Sequence, residues 1–429
     1  MIELLQRLFP ICRSITGDGV RQTLAVLREY LPDLTVHEVP SGTRVFDWIV
    51  PDEWNIRAAR LTGPRGDIIA DFADNNLHVV GYSEPVDCLV SLEELQNHLH
   101  SRPDMPGAIP YVTSYYARRW GFCLAHEKRE KLEPGMYHVK IDSTLSPGNL
   151  TYGELLIPGR EDREIFLSTY ICHPSMANNE LSGPVVATEL ARWLLSKQER
   201  RFTHRFVFAP ETIGAITYLS FNADILKERV VAGFNLTCIG DERAYSYLPS
   251  RKGGTLADRA ALHVMKHFCP DFVRYSFLER QSDERQYCAP GIDLPLCTVM
   301  RTKYNAYPEY HTSLDNFDVV TENGLQGGCT LVQNCLEALE KNCVYASATL
   351  CEPQMGRRGL YSTLSAVGST NGYITNMMNL LAYMDGRTEL LDIAETIGLD
   401  VFQCADMAEI LLREHIIYKV EPDAVSNGI

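Results

Sequence analysis

The pattern of apolar and polar positions changes character along the chain. Residues 2–31 carry apolar positions at helical spacing, interrupted at Thr16-Gly17-Asp18-Gly19, and 34–39 alternates with the period of a strand. From about 50 to 135, short strand-like pieces (IIADF, LHVVGY, IPYVTSYY) alternate with turns around one helix, SLEELQNHL. This texture, rich in Tyr and Trp, predicts an inserted α+β unit.

From 165 onward the pattern is regular. Apolar runs at 165–172, 206–209, 230–239 and 294–300 predict strands, and helical patterns at 181–197, 214–227, 255–268 and 319–341 alternate with them. Strands that are apolar on both faces, separated by helices, imply an α/β domain with a mixed, mostly parallel sheet covered by helices. Ser182-Gly183-Pro184 suits a helix start. Beyond 345, helical segments at 370–383, 388–397 and 400–415 surround the turn Gly398-Leu399-Asp400 and end in IIYKV, a winged-helix-like order. The expected domains are 1–46 with 136–342, an insert at 47–135, and 343–429.

The formal net charge of −15 argues against a general phosphate-backbone binder. Helix 400–415 has one arginine against four acidic residues, so packing or homo-oligomer formation is expected of the C-terminal domain, not nucleic-acid binding. No run approaches the roughly 20 apolar residues of a membrane span. The 13 cysteines, scattered through 429 residues without a repeated CxxC, read as reduced thiols of a cytoplasmic protein.

In parallel sheets ligands gather where strands exit, so candidate chemistry is sought there. The first long strand runs into His173-Pro174, and Glu180 follows within one loop. An imidazole and a carboxylate so placed can supply two ligands to one metal. The strand RFVFAP exits into Glu211, well placed as a general base; the plainer alternative is an acid favoured at a helix N-terminus. After LPLCTVM come Tyr307, Tyr310, His311 and Asp315. His311 is a candidate second imidazole ligand, and Asp315 either caps a helix or orients the ring. The loop Gln281–Tyr287 carries Asp283 and Arg285, candidate substrate contacts or a solvated turn. Arg285 or Arg251 would clamp a carboxylate, and Tyr115, Tyr116, Trp120, Tyr307 or Tyr310 would wall a pocket.

With these motifs, namely Ala177-Asn178-Asn179-Glu180-Leu181-Ser182-Gly183, Glu211-Thr212-Ile213-Gly214, Phe234–Gly240, Ser282-Asp283-Glu284 and His311-Thr312-Ser313-Leu314-Asp315, the chain resembles the zinc aminopeptidase family with a phosphorylase/hydrolase-like core. More closely, it looks like a bacterial aminopeptidase-like subgroup with an inserted domain and a C-terminal winged helix, some of whose members are associated with polysaccharide biosynthesis. The resemblance covers roughly 1–46 and 136–341 and implies a metal-dependent hydrolase of small peptides or other amides. The family's bridging Asp aligns with Asn179, its second Glu with Thr212 and a further metal-binding Asp with Thr237. These departures imply one zinc per chain, held by His173, Glu180 and His311, with Glu211 as base. Two other readings stand beside an aminopeptidase or carboxypeptidase: an N-deacylase of carbohydrate or secondary metabolism, and an inactive interaction protein.

Overall fold

The computed structural model describes residues 1–360 and 370–420; the end of the expected C-terminal domain, 421–429, lies outside it. The chain divides into two compact units, 1–258 with 273–330, and 259–272 with the chain from 331 onward.

The first unit is built on an eight-stranded sheet. Its strands are β1 (Thr35–Pro40), β2 (Asn149–Ile157), β3 (Glu161–Tyr170), β4 (Phe202–Ala209), β5 (Val230–Asn235), β6 (Ser246–Leu248), β7 (Val273–Arg274) and β8 (Leu296–Met300), in the order β1-β2-β4-β3-β5-β8-β6-β7. Strand β3 is parallel to β4 and β5, and β5 to β8, so these four exit at one edge. Every residue of β4 and β8 is buried, as the continuous apolar runs require of strands covered on both faces. The helices α1 (Ser182–Ser196) and α2 (Ile213–Arg229) follow the exits of β3 and β4 directly. Gly183 lets α1 begin close to the sheet. A Cβ there would lie 2.3 Å from Thr169 Oγ1 and 2.4 Å from the Leu236 carbonyl oxygen.

The insert is a four-stranded antiparallel sheet of Ile68–Asp71, Glu53–Thr62, Met136–Ser146 and Val86–Ser91, in that order. It has its own apolar core, including Leu61, Leu95, Phe122 and Val139. IIADF is a strand as expected, but LHVVGY and IPYVTSYY are not. Their backbone groups are satisfied by scattered bonds instead of a ladder: Gly81 N–H to Val112, Tyr111 N–H to His311, and Ser313 N–H to Ile109. The second piece therefore reaches the His311 segment as a loop.

The second unit contains a three-stranded antiparallel sheet of Asp385–Glu389, Val344–Ser347 and Ile417–Lys419. Helices Thr370–Ala382, Leu390–Ile397 and Val401–Arg413 accompany it, and the unit also takes in most of Leu256–Phe268 and the second half of Glu322–Lys341. Gly398, with φ of 70°, closes the second of these helices in the left-handed conformation, and the Asp400 side chain caps the third by accepting from Phe402 N–H. No helix among the described residues is long and apolar enough to cross a membrane.

Candidate metal centre

The exits of β3, β4 and β8 bring their chemistry to one cavity of about 400 Å³, within the range of small-molecule sites. Cys172, His173, Glu211, Thr212, Arg285 and His311 line it, with an aromatic wall of Trp48, Tyr111, Tyr115 and Tyr116 from the insert side. A larger cavity, about 610 Å³, lined by Cys12, Asp18 and Asp74 among others, contains none of the candidate catalytic groups.

The loop after β3 turns through one π-helical turn, Ala177–Leu181. The buried carboxylate of Asp315 holds this turn, accepting from the N–H groups of Asn178 (2.7 Å) and Asn179 (2.9 Å) and from Tyr307 OH (2.9 Å). Asp315 thus anchors the loop and does not orient the His311 ring; burial pushes its carboxyl up to about 6. The turn aims Glu180 inward. Its Oε2 lies 2.9 Å from His173 Nδ1, and its Oε1 lies 3.5 Å from Arg13 Nε. Arg13 and Glu180 have fully buried side chains, and Arg13 Nε also donates to the His173 carbonyl at 2.9 Å.

The other nitrogen of His173, Nε2, lies 3.6 Å from Glu211 Oε2. Glu211 is 21% exposed, enough to be reached from the cavity. Burial raises its carboxyl above the usual range, against the lowering effect of His173 and Arg285. Burial opposes protonation of His173, but the Glu180 hydrogen bond and the charges of Glu180 and Glu211 outweigh it and raise its pKa. Burial and the neighbouring His173 push His311 down to about 3, so its ring is neutral.

Left-handed backbone occurs at several positions around the site. Ser175, Thr212, Cys238 and His311 all have positive φ, between 39° and 62°. Thr212 is the clearest case. Its φ of 62° and ψ of −77°, with Ile213 N–H bonded to the Glu211 carbonyl at 2.8 Å, form the rare, strained γ-turn. Thr212 N–H donates to Asp283 Oδ1 at 2.8 Å, and its hydroxyl accepts from Arg285 Nη2 at 2.6 Å.

Residues 2–342 match the family described as a domain of unknown function (DUF4910). The chain belongs to this family. Residues 343–419 of this DUF4910 chain match a winged helix-turn-helix family. A Clostridium acetobutylicum protein whose name refers to polysaccharide biosynthesis and an aminopeptidase-like domain is 42% identical over 97% of this chain and 95% of its own length. A crystal structure of a candidate peptidase from Clostridium acetobutylicum superposes with a TM-score of 0.91 at 41% identity, covering 97% of this chain and 95% of that one. A zinc aminopeptidase from Bacillus subtilis shares the fold at 14% identity, with a TM-score of 0.55 over 78% of this chain and 94% of its own. The DUF4910 chain therefore has an aminopeptidase-like α/β fold with a C-terminal winged helix.

The two imidazoles His173 and His311 are spaced as two ligands of one divalent metal would be. His311 Nε2 is buried with no hydrogen-bond partner, the state of a nitrogen prepared to coordinate. Two imidazoles sharing one tetrahedral zinc, at about 2.0–2.1 Å per Zn–N bond, set their ring centres roughly 5.2 Å apart; those of His173 and His311 are 5.4 Å apart. Asn179 Oδ1 and Glu180 Oε1 are also buried without hydrogen-bond partners. Among the described residues, the group of three acidic, Cys or His ligand atoms lying within 4.8 Å of one another is Cys172, His173 and Glu180, on the Nδ1 side of His173; His311 is outside it.

Of the three expected substrate contacts, Arg285 lines the cavity. Asp283 is buried behind Thr212, and Tyr310 is stacked on His311 at 3.9 Å; neither is part of the lining. Arg251 is held by Asp293 on both of its forked nitrogens, and Trp120 stacks on His98 within the insert, so neither is part of the wall. Arg13, Cys172, Trp48 and Tyr111 were not anticipated. The one available signal was for Cys172, which directly precedes the strand-exit histidine.

Proposed function

We propose that this chain is a metal-dependent hydrolase of amide bonds, with one zinc ion held by His173 and His311 and Glu211 as the general base. The observation that carries the reading is the convergence of His173 Nε2, a partnerless His311 Nε2 and the raised carboxyl of Glu211 on one cavity. Bound zinc would supply Lewis acidity, polarising the amide carbonyl and acidifying water.

The protein's own groups do the rest. In this reading Glu180, expected from the sequence as a third ligand, orients His173 instead. By engaging Nδ1 it fixes the tautomer and leaves the Nε2 lone pair facing the cavity. A divalent ion placed instead among Cys172, His173 Nδ1 and Glu180 would face the buried guanidinium of Arg13 3.5 Å from that carboxylate, an unfavourable like-charge arrangement. Glu211 takes the proton from the attacking water and delivers it to the leaving nitrogen. Tyr111, from the insert, packs its ring against both imidazoles, at 5.0 Å from His173 and 5.2 Å from His311.

Metal analysis of the purified protein together with Glu211→Gln tests this. Zinc bound near one per chain, and amide hydrolysis reduced about 10²–10⁴-fold in the variant, are expected. Unchanged hydrolysis in Glu211→Gln would remove the mechanism. A second reading, N-deacylation of a carbohydrate by the same site, is favoured by the relative named for polysaccharide biosynthesis and by the partly exposed Trp48 and Tyr116 rings, 5.7 Å apart at the cavity. Turnover of N-acyl sugars in preference to peptides would select it.

A further inference from the structure

We infer that the cavity takes an N-acylated amide carrying a carboxylate, with no free amine, and that Arg285 is the residue that selects it. The inference rests on the amide-hydrolase reading and adds its substrate class. Arg285 is exposed at the cavity, and of its five guanidinium N–H donors one is spent on the protein, on the neutral hydroxyl of Thr212. A planar fork with its remaining donors open matches a carboxylate at two points. The alternative clamp, Arg251, already pairs with a carboxylate, its Nε and Nη2 both donating to Asp293, and it does not line the cavity.

The same lining argues against a free α-ammonium. Glu211 is the one carboxylate among the described residues that line the cavity, and as the base it must stay free to receive a proton. Asp283 is covered and accepts from Thr212 N–H. Both acids feel the charge of Arg285, so the guanidinium offsets their field where a ligand enters.

Spacing supports an N-acyl amino acid. Glu211 and Thr212 are consecutive, so the Arg285 fork that reaches the Thr212 hydroxyl stands beside the base. In an N-acyl amino acid the carboxylate carbon lies three bonds from the scissile carbon, a comparably short reach. The acyl group would then lie against Trp48 and Tyr116. In the reaction the acyl C–N bond breaks and a C–O bond to water forms. The water proton passes through Glu211 to the leaving nitrogen, and the products are a carboxylic acid and an amino acid.

Calorimetric titration of the metal-loaded full chain with hippurate, hippuramide and glycine p-nitroanilide tests the inference. Hippurate should bind about tenfold or more tightly than hippuramide. Arg285→Met should erase that difference without weakening hippuramide, and Arg285→Lys should restore part of it. Equal binding of acid and amide, an acid preference that survives Arg285→Met, strongest binding by the amine compound, or no hippurate binding at millimolar concentration would each overturn the inference. The two levels separate cleanly. An Arg285-dependent acid preference without hydrolysis of any amide keeps the inference and removes the hydrolase reading. Glu211-dependent hydrolysis of glycine p-nitroanilide with no preference for acids does the reverse.

Discussion

Glu180→Gln separates a carboxylate that orients His173 from one that coordinates metal. In the wild type, Glu180 is the counter-ion of a guanidinium with no solvent exposure. Arg13 Nη2 has no hydrogen-bond partner, so the charge of Glu180 is the main compensation for burying that cation. At 3.5 Å and an effective dielectric of about 20, the attraction is about 5 kcal/mol, an upper bound on the loss. Removing one partner of a buried pair costs about 3–5 kcal/mol. Glutamine can still accept from His173 Nδ1, so the loss falls on Arg13. All four tryptophans, Trp48, Trp54, Trp120 and Trp193, belong to the unit that contains the pair, so urea unfolding read by tryptophan fluorescence reports on that unit. The expected loss is about 3 kcal/mol or more, and adding Arg13→Met should recover at least about 2 kcal/mol of it. An effect of Glu180→Gln below about 1 kcal/mol, or simple additivity in the double variant, would refute the reasoning. Metal affinity supplies the second arm. Loss of an orienting group weakens zinc about 10–100-fold, whereas abolished binding would place Glu180 among the ligands.

Thr212→Gly relieves the strained turn and should raise unfolding free energy by about 1 kcal/mol while loosening Arg285; a destabilised variant would mean that the turn stores no strain. Gly183→Ala drives a methyl group to 2.3 Å from Thr169 Oγ1 and should destabilise by about 1–3 kcal/mol in the same fluorescence assay, with reduced zinc uptake because the Ala177–Leu181 turn shifts. The Glu53 carboxyl is held down at about 2; burial opposes this, but Arg21, the Asn149 N–H and Asn55 outweigh it. Because its folded pKa is depressed, its stabilisation is present above the unfolded value of about 4.3 and is lost as pH falls toward about 2. Glu53→Gln should flatten the stability profile across that window, measured by thermal unfolding at successive pH values.

The parts of the site that lie at strand exits were legible in the sequence. His173, Glu211 and His311 each follow an apolar run, and parallel pairing of β3, β4, β5 and β8 brings such exits to one edge. The winged-helix order was legible because Gly398 and Asp400 mark the turn between two apolar helices. Partnerships set by tertiary packing were not. Arg13 meets the His173 carbonyl across 160 residues of sequence, so its basic character near the N-terminus carried no sign of a buried role. IPYVTSYY has the composition of a strand, yet its backbone groups bond to the His311 loop. Tyr111 and Tyr115 are half-buried in the cavity wall, not paired in a sheet. Within 281–287, three successive side chains go to different places. Glu284 is buried, accepting from Tyr304 OH and two backbone N–H groups, Asp283 supports Thr212, and Arg285 reaches the cavity.

The most direct test is anomalous diffraction at the zinc edge from crystals of the metal-loaded protein. One ion is expected at about 2.0–2.1 Å from a ring nitrogen of both His173 and His311, with Glu180 still on His173 Nδ1. An ion bound among Cys172, His173 Nδ1 and Glu180, or no ion on either imidazole, would contradict this.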